Sequence, residues 1–268
     1  MTGQGAPLPD SENEPRIRTV TATRYVTPLR EGGSLPAIIE ADDLGSYVLK
    51  FRGAGQGPRV LIAELLAGEL ARMLGLPMPE LVYVMLDAAL ARSEPDPEIQ
   101  DLMLSSAGLN LALDYLPGSF AYEPGISQPP DPWLASAIVW FDAYVTNVDR
   151  SARNTNLLIW HHSLWLIDNG ASLYFQYTPG DVTARARLAF PQIRQHVLLP
   201  YASRLVEVDE AFSEILSPAV IGGIVDLAPD SWLEQAPPRA GYATYLIERL
   251  RAPHQFLEDA RAAHADLV

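Results

Sequence analysis

The sequence predicts an α+β chain in two parts: a small, strand-rich N-terminal part with one main helix, and a larger helical part with a single hairpin. Three observations predict this division. Residues 18–115 hold short alternating or apolar runs around one helical stretch. Beyond about residue 181 the patterns are mainly helical and are broken by prolines. Between the two parts, residues 117–132 carry five prolines, the composition of a boundary between lobes. A chain of 268 residues, 48% hydrophobic, buries a sizeable core as one domain or as two lobes sharing a cleft.

Residues 1–15 are rich in Pro, Gly and acids and read as a disordered tail. With no basic start and no apolar stretch they do not read as a signal peptide. Residues 18–27 alternate and are rich in Thr and Val, so a strand is expected. A turn at Glu31-Gly32-Gly33-Ser34 leads to a second strand at 37–40 and a third at 47–51. The glycine loop 52–58 precedes a helix over 59–74, with Leu61, Leu65, Leu66, Leu70, Met73 and Leu74 near one face. Gly75 suits its C-terminal cap, with Pro77 and Pro79 beyond. Residues 80–87 and 109–115 read as further strands, and 92–100 as an acidic, proline-broken loop. The N-terminal part therefore covers 16–116.

The C-terminal part, 133–268, follows the loop at 117–132. Asp131 as N-cap and Pro132 at the first helical position open a helix through Trp133, Ile138, Trp140, Phe141 and Tyr144 to about 146. The aromatic spacing there is that of core packing. Residues 157–160 and 164–167, split by His161-His162-Ser163, give a hairpin signal. Trp232, after Pro229-Asp230-Ser231, reads as the anchor of a helix start.

Composition narrows the function. The chain has no cysteine, which excludes disulfides, a thiolate zinc site and a cysteine nucleophile, and fits a reducing compartment. No apolar run approaches the roughly 18–20 residues of a membrane span, so no membrane partner and a cytoplasmic location are expected. A net charge of −14 disfavours nucleic acid as a partner. It also means that ATP would need Mg²⁺ and a few well-placed cations. Among 19 basic residues a single one, Lys50, is lysine. Either the source favours arginine, or a compact ammonium is required where a planar guanidinium does not fit.

The surroundings of Lys50 favour the second reading. An Asp precedes an Asn by five positions in Asp149-Arg150-Ser151-Ala152-Arg153-Asn154, a polar loop after the buried helix. The hairpin that follows ends in Asp168-Asn169-Gly170. Phosphoryl transfer asks for a hydroxyl held in line, hard oxygen ligands for a divalent metal, and neutralising cations. Asn154 and Asp168 supply oxygens suited to Mg²⁺. Asp149 is placed to orient or deprotonate the hydroxyl, and Lys50 to reach the phosphates. Glu64, in the following helix, is the expected partner of Lys50, with Glu69 as the second candidate.

Asp-x4-Asn, a hairpin and Asp-x-Gly together resemble the catalytic and metal loops of the protein-kinase-like fold. No His-Arg precedes Asp149, and Asn169 stands where the usual motif has Phe, so a typical eukaryotic protein kinase is not expected. The chain resembles the HipA-like kinase family instead, through Tyr47-Val48-Leu49-Lys50-Phe51, Ala63-Glu64 and Leu70-Ala71-Arg72-Met73-Leu74-Gly75-Leu76-Pro77. Asp149 to Asn154 and Leu166-Ile167-Asp168 complete the set. The resemblance spans roughly 24–260, with motif-level strength in 47–79 and 146–170. About 20 residues precede the first strand, so a short member without the extra N-terminal module of the toxin-type kinases is expected. Their antitoxin partner and substrates are not carried over.

The resemblance implies a two-lobed kinase fold with ATP and Mg²⁺ between the lobes. Lys50 then contacts the phosphates, Glu64 positions it, Asp149 is the catalytic base, and Asn154 and Asp168 bind Mg²⁺. Arg153 steadies the transferring phosphate. Residues 113–116, with Asp114, Tyr115 and Leu116, form the hinge whose backbone meets adenine. The acceptor is a hydroxyl, most simply Ser or Thr of a protein. A small-molecule kinase and a catalytically silent nucleotide-binding scaffold of the same fold stay open. Gly32, Gly33 and Ser34 read equally as a phosphate-covering loop and as a plain turn, with Ser34 a candidate autophosphorylation site. Gly53, Gly55 and Gly57 lack the dinucleotide-loop spacing and read as a connector. His161 and His162 read as exposed turn residues rather than metal ligands.

Overall fold

The computed structural model describes residues 17–29, 35–55, 57–251 and 254–267. The tail at 1–15 and the turn with Gly32, Gly33 and Ser34 lie outside the described residues. Strands β1 (Thr19–Pro28), β2 (Ala37–Ala41), β3 (Ser46–Lys50), β4 (Leu81–Leu86) and β5 (Gly108–Asp114) close into a barrel in the order β1-β2-β3-β5-β4. The β1–β4 pair is parallel and the other pairs are antiparallel. Period-2 alternation fills the barrel. Tyr47 and Leu49 join Val20, Ile39, Val82 and Val84 inside it, while Val48 and Lys50 take the other face of β3.

Helix α1 (Pro58–Met73) starts with Pro at its first turn after Gly57, whose φ of 70° suits glycine. It is buried on nearly all sides, from Leu61 to Ala71. Such a helix belongs to a core and not to a surface. Gly68 lets β4 come close, because a Cβ there would lie 2.5 Å from Leu81 Cδ1. The helix stops in a Schellman cap: Gly75 N–H donates to Arg72 O, and Leu76 N–H to Ala71 O, with Gly75 at φ 73°.

Residues 92–100 are not all loop, which corrects the sequence reading. Helix α2 (Pro97–Ser105) starts there, after a 3₁₀ turn at Ala88–Ser93. The proline taken as a breaker sits at the first helical position, and Asp96 caps it by accepting from Glu98 N–H at 3.1 Å. Ile99 and Met103 then pack into the barrel core. The segment 117–132, read from the sequence as an inter-lobe loop, contains a short strand, β6 (Phe120–Ala121), which forms a sheet with β7 (Leu157–Trp160) and β8 (Ser163–Leu166) in the order β6-β7-β8.

Helix α3 (Pro132–Val145) is capped by Asp131, which accepts from Trp133 N–H at 2.9 Å and Leu134 N–H at 3.3 Å. His161 and His162, at φ 48° and 62°, make the tight two-residue turn of the β7–β8 hairpin. The remainder is helical: α4 (Val182–Ala186), α5 (Leu205–Ile215), α6 (Pro218–Asp226), α7 (Asp230–Leu233), α8 (Arg239–Arg249) and α9 (Gln255–Ala265). Trp140 of α3 meets Phe212 and Phe256 edge-on, both at 5.3 Å between centroids. One apolar cluster runs from Leu65 and Leu70 of α1 through Trp140 to Tyr242 and Phe256. Helix α1 therefore ties the barrel to the helical part, and burial of each such side chain contributes about 1.5–3 kcal/mol.

Candidate active site

Lys50 leaves the barrel toward α1 and is only 7% exposed. Its ammonium donates to Glu64 Oε2 at 2.6 Å and to Asp168 Oδ1 at 2.5 Å. Glu69 pairs instead with Arg72, one turn along the same helix. Burial alone pulls the Lys50 pKa down, but the charges of Glu64 and Asp168 outweigh it and raise it above the ordinary lysine value. Burial pushes the Glu64 carboxyl up against the pull of Lys50. The Lys50 charge holds Asp168 below the usual carboxylate range. An ammonium has three donors, so two carboxylates leave one for a further anion.

Asp168 has φ 54°, the left-handed region, where a residue with a Cβ costs on the order of 1–2 kcal/mol. The nearby backbone amides favour the charged carboxylates, that of Gly170 for Asp168 and that of Asn169 for Glu64. Gly170 must be glycine, since a Cβ would lie 2.7 Å from Val60 Cγ1 of α1.

A buried polar hub under this site was not found by sequence reasoning. Asp142, in the apolar run of α3, is fully buried. It accepts from Arg150 Nε at 2.5 Å, His196 Nε2 at 2.8 Å and Asn147 Nδ2 at 3.0 Å. His196 Nδ1 accepts from Leu198 N–H, so the ring proton sits on Nε2 and the ring is neutral. Burial lowers the His196 pKa, in accord. Burial pushes Asp142 up, yet the Arg150 charge and the hydrogen bonds from His196 and Arg150 bring it below its ordinary value. The Arg150 guanidinium then reaches on to Asn156 O, Ile167 O and Asn169 Oδ1. One buried side chain thus fixes both residues flanking Asp168 while its own backbone continues from Asp149. The available signal was one acid inside an otherwise apolar helix.

Asp149 is half-buried at the start of the loop that Arg150 anchors. Its amide donates to Asn147 Oδ1 at 3.1 Å, and its Oδ2 accepts from Asn154 Nδ2 at 2.9 Å. Asn154 is exposed, and with Nδ2 donated to Asp149 its remaining polar atom is Oδ1, an oxygen of the kind Mg²⁺ prefers. Asp168 is 45% exposed and offers a second such oxygen. Among the described residues no three acidic or histidine side chains cluster as a metal cage. The donor set therefore suits a cation that takes one or two protein oxygens and completes its shell with phosphates and water. Arg153 is exposed, and among the described residues its side chain makes no hydrogen bond or ion pair to this group.

At the edge of the barrel the amides of Asp114 and Tyr115 donate to Glu80 O and Ser46 O. In the 113–116 segment these two amides are therefore already engaged, and Leu116 is buried. Two open hollows lie outside this group of residues, one beside Arg59 and Arg185 and one beside Asp230 and Arg239.

The sequence matches the model of the HipA-like kinase family over residues 23–259. The chain belongs to the HipA-like kinase family. No curated protein sequence matches it. In structure this kinase is similar to the proinflammatory kinase CtkA of Helicobacter pylori, with a TM-score of 0.58 at 11% identity, covering 94% of this chain and 100% of that one. It is also similar to the Golgi casein kinase solved with Mn/ADP bound, with a TM-score of 0.51 at 11% identity, over 91% of this chain and 73% of that one. At such identity the likeness concerns the fold. Among the described residues no helix of the kinase is long and apolar enough to cross a membrane.

Proposed function

We propose that the kinase transfers the γ-phosphoryl group of ATP, with Mg²⁺, to a hydroxyl, most simply Ser or Thr of a protein, and that the barrel and the helical part act as two lobes around the nucleotide. The observation that carries this is the Lys50 ammonium bridging Glu64 on α1 and Asp168 after the hairpin. It supports a phosphate site because a buried cation, oriented by two carboxylates and with one donor left, is preorganised for an anion.

In this reading Lys50 orients the phosphates. Asn154 and Asp168 would hold Mg²⁺, which when bound offsets phosphate charge. Asp149 holds the acceptor hydroxyl through its carboxylate and takes the proton as the acceptor oxygen bonds to γ-phosphorus. The bond from that phosphorus to the β–γ bridging oxygen breaks, and ADP leaves with the electron pair. Asn154 keeps one Asp149 oxygen engaged and so aims the other. Arg153, on the loop rim, steadies the transferring group. The kinase family supports a hydroxyl-bearing acceptor, and the composition supports a cytoplasmic setting with neither nucleic acid nor membrane as partner.

The test is incubation with γ-labelled ATP and Mg²⁺, with and without host lysate. Label on Ser or Thr of protein, lost in Asp149→Ala, is expected. Label confined to small alcohols overturns the protein acceptor, and label equal in Asp149→Ala overturns the base.

A further inference from the structure

Beside the active site lies an open hollow of about 480 Å³ between the start of α1, the segment that follows Asp168–Gly170, and the turn before α8. Two arginines line it. Arg59 donates to the carbonyls of Gln235 at 2.5 Å and Gln176 at 3.5 Å, and its guanidinium lies 5.9 Å from the centroid of the Tyr177 ring. Arg185 donates to Pro179 O. Most described arginines pair with a carboxylate. Among the described residues neither Arg59 nor Arg185 does, although the chain holds 33 acids.

The hollow also contains two buried donors with no hydrogen-bond partner among the described residues, Arg185 Nε and the Tyr177 hydroxyl. A buried donor left unmet is costly, more so when it belongs to a charged group. Gly180 leaves room for the guanidinium, since a Cβ there would lie 3.0 Å from its NH2 nitrogen. The frame is stiff: Gln176 Nε2 donates to Arg59 O, and Gln176 Oε1 accepts from Tyr242 on α8.

We propose that this hollow binds an oxyanion, a carboxylate or phosphate group, through Arg185, Tyr177 and Arg59. Guanidinium groups and a hydroxyl lining one hollow are the donors such a group takes. The hollow and the active site meet at the start of α1, where Arg59 lines the hollow and Gly170 lies against Val60, the next residue. Its ligand is therefore either an acidic side chain of the acceptor or a free phosphate ion. The first source rests on the proposed kinase reaction and the second does not.

Two arms separate these sources. Inorganic phosphate is titrated calorimetrically into the full chain without nucleotide. In parallel, serine peptides carrying one Glu at successive flanking positions are compared with their Gln counterparts as acceptors. Arg185→Gln is expected to lower phosphate affinity at least tenfold and Tyr177→Phe several-fold, with Arg194→Gln, an exposed arginine elsewhere, unchanged. Should Arg185→Gln not fold, Tyr177→Phe, which removes one oxygen, decides. A Glu preference of tenfold or more at one position, lost in these variants while the Gln peptide turns over as before, assigns the acceptor. Phosphate binding without that preference assigns the free ion. Labelling of no peptide at all counts against the proposed reaction, and the phosphate arm then decides the site alone. Phosphate affinity and peptide preference both unaltered by the two substitutions overturn the proposal.

Discussion

Asp142→Asn is the sharpest perturbation of the hub. Asp142 and Arg150 are both 0% exposed in their side chains, and their contact is 2.5 Å. An asparagine there keeps the shape and loses the charge. Its amide nitrogen must also face a donor, because Arg150 and His196 donate to one carboxylate oxygen and Asn147 and Arg150 to the other. His196 cannot switch tautomer to compensate, as its Nδ1 accepts from Leu198 N–H. Leaving one member of a buried ion pair uncompensated costs about 3–5 kcal/mol. That is a large part of the roughly 5–15 kcal/mol by which a protein is stable. Guanidinium unfolding followed by tryptophan fluorescence measures it. Arg150→Met made with Asp142→Asn removes the stranded cation, so the double variant is expected to be at least about 2 kcal/mol more stable than the sum of the single effects. Phosphoryl transfer under folding conditions should fall by about 10²-fold, because Arg150 sets both Asp149 and the flanks of Asp168. A cost below about 1 kcal/mol, or additivity within about 0.5 kcal/mol, refutes the hub.

Asp149→Ala is expected to lower transfer by about 10²–10⁴-fold while ATP affinity, read by calorimetry, stays within about twofold; an unchanged rate excludes it as base. Asp168→Asn should weaken Mg-dependent ATP binding at least about tenfold, roughly 1.4 kcal/mol, and equal affinity removes its metal role. Gly170→Ala should destabilise by about 1–3 kcal/mol through the 2.7 Å clash with Val60 Cγ1, and Val60→Ala should relieve it; if the second change restores nothing, the clash is not the cause. His254 presents Nδ1 to Asp209 and Nε2 to Leu250 O, two acceptors that only the imidazolium satisfies, and its pKa is raised chiefly by the Asp209 hydrogen bond. A raised folded-state pKa stabilises fully below the unfolded value near 6.5, and this support is lost as pH rises through the folded value. The stability gap between wild type and His254→Gln should therefore be larger at pH 5.5 than at pH 8.5, and a gap independent of pH refutes it.

What the sequence made legible follows from range. Strands, the α1 and α3 helices and the β7–β8 hairpin are specified by periodicity and caps within a few residues, as at Asp131-Pro132 and Gly75. Helix α2 was missed because one residue type has two meanings. Pro97 ends a pattern when read from upstream and begins one when Asp96 precedes it as a cap. Strand β6 was missed because two residues carry no period; they are a strand only through β7, whose sequence lies more than 30 residues on.

The site divides along the same line. Lys50, Asp149, Asn154 and Asp168 stood out because their chemistry is exposed in short spacings. What holds them was hidden, since Asp142, Arg150 and His196 are far apart in sequence and each is ordinary alone. An acid within Trp-Phe-Asp-Ala-Tyr was the one local trace. A carboxylate cannot enter an apolar helix core without a cation and further donors to meet it. Asp142 therefore demands a buried partner from elsewhere in the chain, and Arg150, eight residues on and inside the very loop that carries Asp149, is the partner the fold supplies. The same physics makes the hub informative about function: the buried charge costs desolvation, and its position ties the Asp149 loop to the Asp168 turn.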